Sequence, residues 1–143
     1  MYGYDIFHES IMENLIESIR HETVRHAYIF EGEKGVGTYE AAQLFAAALV
    51  CENTQSAPCG TCTACIMAAA GTHPDIYFVK PPDGKKNISV DMVRGIVTDA
   101  YTKPYESRKK VYIIAYGDDM NEQAQNAFLK VLEEPPEYAA FII

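Results

Sequence analysis

Nothing in the 143 residues carries the marks of a membrane or secreted protein. No run of about 18 apolar residues occurs, so no helical membrane span is expected. The N-terminus, MYGYDIFHES, lacks the basic and then apolar order of a signal peptide. The expected compartment is the cytoplasm. Basic charge is scarce as well: 12 Lys and Arg stand against 20 Asp and Glu, a formal net charge of −8. A protein that grips duplex nucleic acid with its own surface neutralises phosphates with a basic surplus. The balance therefore argues against tight DNA binding by this chain alone, although a local basic patch could survive the average. There is no internal repeat, no low-complexity tract, and no cysteine outside residues 51–65. What remains is ordinary: 48% hydrophobic and 22% charged residues, and enough length for one domain with a real core.

The apolar residues alternate between helical and extended periods. Ile6, Ile11, Leu15 and Ile19 predict an amphipathic helix over about 8–21. HAYIFE (26–31), DIYFVK (75–80), KVYIIAY (110–116) and AAFII at the end read as strands. Between them, TYEAAQLFAAALV, IMAAAG, a segment from about 90 to 102 and NEQAQNAFLKVLEE read as helices. Ser89 is placed to cap the third of these, with Asp91 in its first turn and Met92, Ile96 and Val97 on one face. Pro135 and Pro136 stop the last. Strands alternating with helices predict an α/β fold with a mainly parallel sheet. The continuous apolar character of YIF, VYII and FII predicts strands covered on both faces. The chain stops inside an apolar run, which is expected of a piece of a longer protein.

One absence is chemical. GEKGVGTY (32–39) has the frame of the phosphate-binding loop G-x-x-x-x-G-K-[ST], with Gly32 and Gly37 correctly spaced and Gly35 between them. The lysine that would charge the terminal phosphates is replaced by Thr38, and the magnesium-binding hydroxyl by Tyr39. After VYII, where an ATPase places its acids, stand Ala115 and Tyr116. Asp118 and Asp119 come later, displaced by roughly 10 Å in an extended chain. Two independent losses argue against ATP hydrolysis. A glycine-rich β–α turn with no ligand is one reading of the loop, and weak anion binding at a bare helix N-terminus is another.

The cysteines run Cys51-x7-Cys59-x2-Cys62-x2-Cys65. Four thiols within fifteen residues suit tetrahedral thiolate coordination of zinc. Disulfides would need an oxidising compartment, and isolated buried thiols would not cluster. Four sulfurs close the shell, so the expected role is structural and not catalytic. His73, in GTHPD, could in principle replace one ligand, but a capping or packing place near the strand start is expected.

Together, HAYIFEGEKGVGTYEAA, the clustered cysteines, THPD and KVYIIAYGDDMNEQAQNAFLKVLEEPPEYAAFII resemble the bacterial DNA polymerase III clamp-loader family of AAA+ proteins, over nearly the whole chain. The most specific part is similar to the family's N-A-L-L-K-x-L-E-E-P helix, here Asn126 to Pro135 with Phe128 for the usual leucine. The resemblance implies a P-loop NTPase-like sheet flanked by helices. Residues 1–143 would be an incomplete N-terminal domain with a zinc module inserted at about 51–65. In this family the module occurs in the ATP-hydrolysing gamma/tau subunit and in a non-hydrolysing subunit. Thr38, Tyr39, Ala115 and Tyr116 resemble the second.

The resemblance then implies a non-catalytic member of the complex that loads the sliding clamp onto primed DNA. Its partners would be gamma/tau and delta, with clamp and DNA met through the assembly. It implies structural zinc on Cys51, Cys59, Cys62 and Cys65, and no ATP on the vestigial loop of Gly32, Gly35, Gly37 and Thr38. The first cysteine spacing is one residue shorter than the family's, which makes Cys51 the least secure ligand. An arginine finger in a Ser-Arg-Cys segment, a helical lid and a collar domain are expected after residue 143. The alternatives are a gamma/tau-like ATPase with an unorthodox nucleotide site and a free-standing zinc-stabilised nucleic-acid adaptor. The acidic balance weighs against the adaptor.

Overall fold

Apolar runs separated by glycine, proline and charged turns become strands, and the alanine-rich and amphipathic stretches between them become helices. The computed structural model describes residues 9–31, 37–85, 87–115 and 120–143. In chain order these form α1 (Glu9–Arg20), β1 (Ala27–Tyr28), α2 (Thr38–Val50), α3 (Thr63–Ala70), β2 (Ile76–Val79), α4 (Val90–Ala100), β3 (Lys110–Ile114), α5 (Glu122–Glu133) and β4 (Ala139–Ile142). A short 3-10 turn, Thr54–Ser56, lies between α2 and α3. The strands make one sheet in the order β1-β4-β3-β2, with every neighbouring pair parallel. The expected α/β class is the observed one.

The chain crosses from β1 to β2 at the other edge, then returns through β3 to β4. Right-handed crossovers that reverse direction place their helices on opposite faces. Accordingly Met12, Ile19, Leu44, Phe45 and Leu49 pack with Val111, Ile113, Ala140 and Ile142. On the other face Val93, Ile96, Ala124, Phe128 and Val131 pack with Tyr112, Ile114, Ala139 and Phe141. Successive residues of β3 and β4 thus feed alternate layers. Both strands are buried at every position, as expected of strands covered on both faces.

Local signals set the helix ends. Ser89 Oγ accepts the Met92 N–H at 3.2 Å, and Asn121 Oδ1 accepts that of Ala124 at 2.8 Å. Each satisfies a donor that the first helical turn leaves over. Phe128, in place of leucine, is buried edge-on against Phe141, ring centres 5.2 Å apart.

Two expectations shift. In α1 the buried residues are Met12 and Ile19, with Leu15 and Ile16 packed beside them, while Ile11 is 58% exposed. At about 100° per residue, positions 12, 15, 16 and 19 share one face and 11 sits a step round from it. Ile6 lies outside the described residues. Ile29 is 80% exposed, so the YIF run is not covered on both faces. It follows a strand that has one sheet neighbour among the described residues. Among the same residues, no helix is long and apolar enough to cross a membrane.

Candidate metal centre and glycine turn

Helix α2 carries one region of interest at each end. At its start Gly37 has φ 87°, in the left-handed region that glycine enters without steric cost. Thr38 and Tyr39 are then the first two helical residues. Gly37 supplies no side-chain cap to the first turn. The Tyr39 ring packs against Phe78, centres 4.8 Å apart, and its hydroxyl accepts from Gln43 Nε2 at 3.0 Å. The hydroxyl is thus engaged along its own helix. Of the expected vestigial loop, Gly37 and Thr38 are placed, while Gly32 and Gly35 lie outside the described residues. Ala115 follows β3 and donates its N–H to Val79 O at 2.8 Å. Tyr116, Asp118 and Asp119 lie outside the described residues.

At the other end α2 runs, buried almost throughout, into Cys51. The sulfurs of Cys51, Cys59, Cys62 and Cys65 all lie within 4.8 Å of one another. Cys51 and Cys62 are 3.9 Å apart, and Cys59 and Cys65 are 4.0 Å apart. A tetrahedron of sulfurs at the zinc–sulfur bond length of about 2.3 Å has edges of about 3.8 Å. The four residues therefore fit a single metal ion. Cys51, despite its short spacing, stands inside the group. None of the four is in a disulfide.

Backbone turns aim N–H groups at the sulfurs. Asn53 and Cys59 donate to Cys51 Sγ, each at 3.4 Å; Cys62 donates to Cys59 Sγ at 3.3 Å, and Cys65 to Cys62 Sγ at 3.4 Å. Thr61 gives Cys59 both its hydroxyl and its N–H, at 3.5 Å. These donors pull the Cys59 thiol down to about 6, the Thr61 hydroxyl first. Burial instead pushes Cys65 up to about 12 and raises Cys51. A bound cation would favour thiolate at all four, so binding would release protons.

His73 is not among the clustered residues. It is buried at the start of β2, where Nδ1 accepts the Asp75 N–H at 3.0 Å. Its Nε2 lies 3.9 Å from Glu106 Oε1. The packing place expected for it is the one it occupies.

Two contributors escaped the sequence reading. Arg108 reaches the cysteine group from just before β3: Nη1 donates to Cys51 O, and Nη2 to Ala48 O at 3.2 Å. Asp75 is fully buried, and its carboxylate accepts the N–H groups of Tyr105 at 2.5 Å, Glu106 at 2.9 Å and Ser107 at 2.8 Å. Arg108's partners lie 57 and 60 residues away in the chain, so no local pattern marks it. An acid directly before an apolar strand was the one available signal for Asp75.

At about 1.5 Å per residue, the 13 residues of α2 hold the cysteine group roughly 20 Å from the glycine turn. A metal there cannot touch a phosphate at the other end. A family model described as "DNA polymerase III, delta subunit" matches residues 7–143. The chain belongs to this family. Among its relatives, DNA polymerase III subunit delta' of Bacillus subtilis is 38% identical over 125 residues, which are 87% of this chain and 37% of the relative. The Pseudomonas aeruginosa subunit delta' is 40% identical over 111 residues, 77% of this chain and 34% of that one. Subunit tau of B. subtilis is also similar, 36% identical over 94% of this chain and 24% of its own length. The chain thus spans about a third of the delta' relatives it matches. A DNA polymerase III gamma subunit-related protein from Thermotoga maritima shares the fold, with TM-score 0.67 and 24% identity over 92% of this chain and 38% of that one.

Proposed function

We propose that this chain is the N-terminal part of a delta prime-type subunit of the cytoplasmic clamp loader, a member that organises the complex and leaves ATP hydrolysis to others. Its partners would be gamma/tau and delta, and through them the sliding clamp and primed DNA. In this reading residues 1–143 are an incomplete AAA+-like domain. Gly32, Gly35, Gly37 and Thr38 form a relic of a phosphate loop, and Cys51, Cys59, Cys62 and Cys65 hold one structural zinc in an insertion at about 51–65. Four sulfurs leave the ion no open position, so what it supplies is cross-linking of the chain and not an activated water.

The observation that carries the reading is the start of α2. Where a motor subunit presents lysine and then a magnesium-binding hydroxyl, this helix presents Thr38 and a Tyr39 whose ring lies on Phe78. Neither Thr38 nor Tyr39 carries an ammonium to meet a terminal phosphate. Likeness to tau favours the second reading, an ATPase with an unorthodox site. Calorimetric titration with magnesium and ATP separates the two. The proposed subunit gives no saturable binding tighter than about 1 mM, whereas a working motor site binds in the micromolar range.

A further inference from the structure

We infer that Arg108 is a positioning residue of the metal centre, tying the first cysteine limb to the sheet and offsetting the charge of the thiolates. This rests on the reading of the cysteine group as a zinc site. Cys59, Cys62 and Cys65 are close in sequence, and local turns aim their sulfurs and the donors to them. Cys51 is different. It arrives from the end of a long helix, and its backbone is held by a side chain from across the fold.

The Arg108 fork spans two carbonyls, those of Ala48 and Cys51, at the end of α2 where the helix dipole is negative. A lysine could hold one such carbonyl but not bridge both in a fixed plane. Charge adds a second role. Four thiolates around a divalent cation leave a net charge of −2, and Arg108 Nη1 is bonded to the carbonyl of one of the four cysteines, Cys51.

Arg108 is itself anchored. Asp75 holds the N–H groups of residues 105, 106 and 107, and Lys109 Nζ donates to Glu137 O at 2.9 Å. Next in the chain Lys110 opens β3, buried, with its Nζ donating to Asp99 O at 2.7 Å. The metal limb is thereby fastened to the end of the sheet where β2, β3 and β4 begin.

The test is zinc affinity in the intact protein, measured by competition with a chromophoric chelator for wild type, Arg108→Met, Arg108→Lys and Arg94→Met. Apo-protein stability is measured alongside. Loss of an outer-shell partner typically weakens metal binding by about 10–100-fold, and Arg108→Met should fall in that range. Arg108→Lys keeps the charge and should recover part of the affinity. Arg94→Met, which removes an exposed arginine of α4 that pairs with Asp91, should match wild type. Cobalt loaded into Arg108→Met should keep a four-thiolate spectrum, because no ligand has been removed.

If Arg108 only caps α2, apo and loaded forms weaken equally and zinc affinity stays at the wild-type value. That result overturns the inference and leaves the zinc reading standing. Wild type that takes up no zinc overturns both. Should Arg108→Met fail to fold, Arg108→Lys decides: wild-type affinity in it overturns the bridging role.

Discussion

The Cys62 sulfur lies 3.9 Å from that of Cys51 and also accepts the Cys65 N–H as the cap of α3. These two demands can be separated by substitution. Serine is itself a favourable N-cap, so Cys62→Ser keeps the start of α3 while removing one thiolate. Elemental analysis of the purified variant should find the zinc lost, against one per chain in wild type. Far-ultraviolet circular dichroism should keep most of the signal of the helices and sheet, since Cys51, Ala57, Ala64 and Cys65 form one part of the layer that α1 and α2 build, and the layer of α4 and α5 contains none of the module. Full zinc occupancy in the variant would contradict the four-sulfur site. The cysteines were legible in the sequence because their spacing is local and thiolate geometry is demanding. Arg108 was not, because its role exists only once β3 has packed beside the end of α2.

Between elements, the most telling contact is the grip of Asp75, at the start of β2, on the segment that leads into β3. Burial alone would raise its carboxyl, but the N–H groups of Glu106, Tyr105 and Ser107 outweigh that and hold it below 3.8. A carboxyl lowered in the folded state adds stability above its unfolded value, and loses it as pH falls through the folded one. Wild type should therefore lose this contribution from about pH 4 downward. Asp75→Ala should lack that acid-sensitive part and be less stable by about 3 kcal/mol at neutral pH, since bonds to a charged acceptor are worth roughly 1.5–3 kcal/mol each. Urea unfolding across pH checks both. Parallel stability curves for the two proteins below pH 4 and above would contradict the assignment. The elements themselves were mostly readable, from apolar period, the caps at Ser89 and Asn121, and the proline stop. The failures at Ile11 and Ile29 share a cause: period shows that a face exists, but packing sets which residues it includes and which strand lies at an edge.

Across the whole molecule, the two ends of α2 divide the roles. One end has Gly37 in a left-handed turn followed by Thr38 and Tyr39, and the other a cysteine group about 20 Å away. A net charge of −8 gives little reason for the chain to seek DNA by itself. The α/β class and the cysteine group could be read before any coordinates. The layering of α1, α2 and α3 against α4 and α5 could not, because it depends on the strand order. As proposed, the protein takes part in clamp loading without using an ATP site of its own. The direct measurement is ATP-dependent loading of the sliding clamp onto primed DNA by a complex reconstituted from gamma/tau, delta and the full-length protein, with wild type or Thr38→Ala. Loading should require the protein, and Thr38→Ala should support it at the wild-type rate and with the wild-type ATP turnover. A complex that loads equally well without the protein, or one whose ATP turnover collapses with Thr38→Ala, would contradict it.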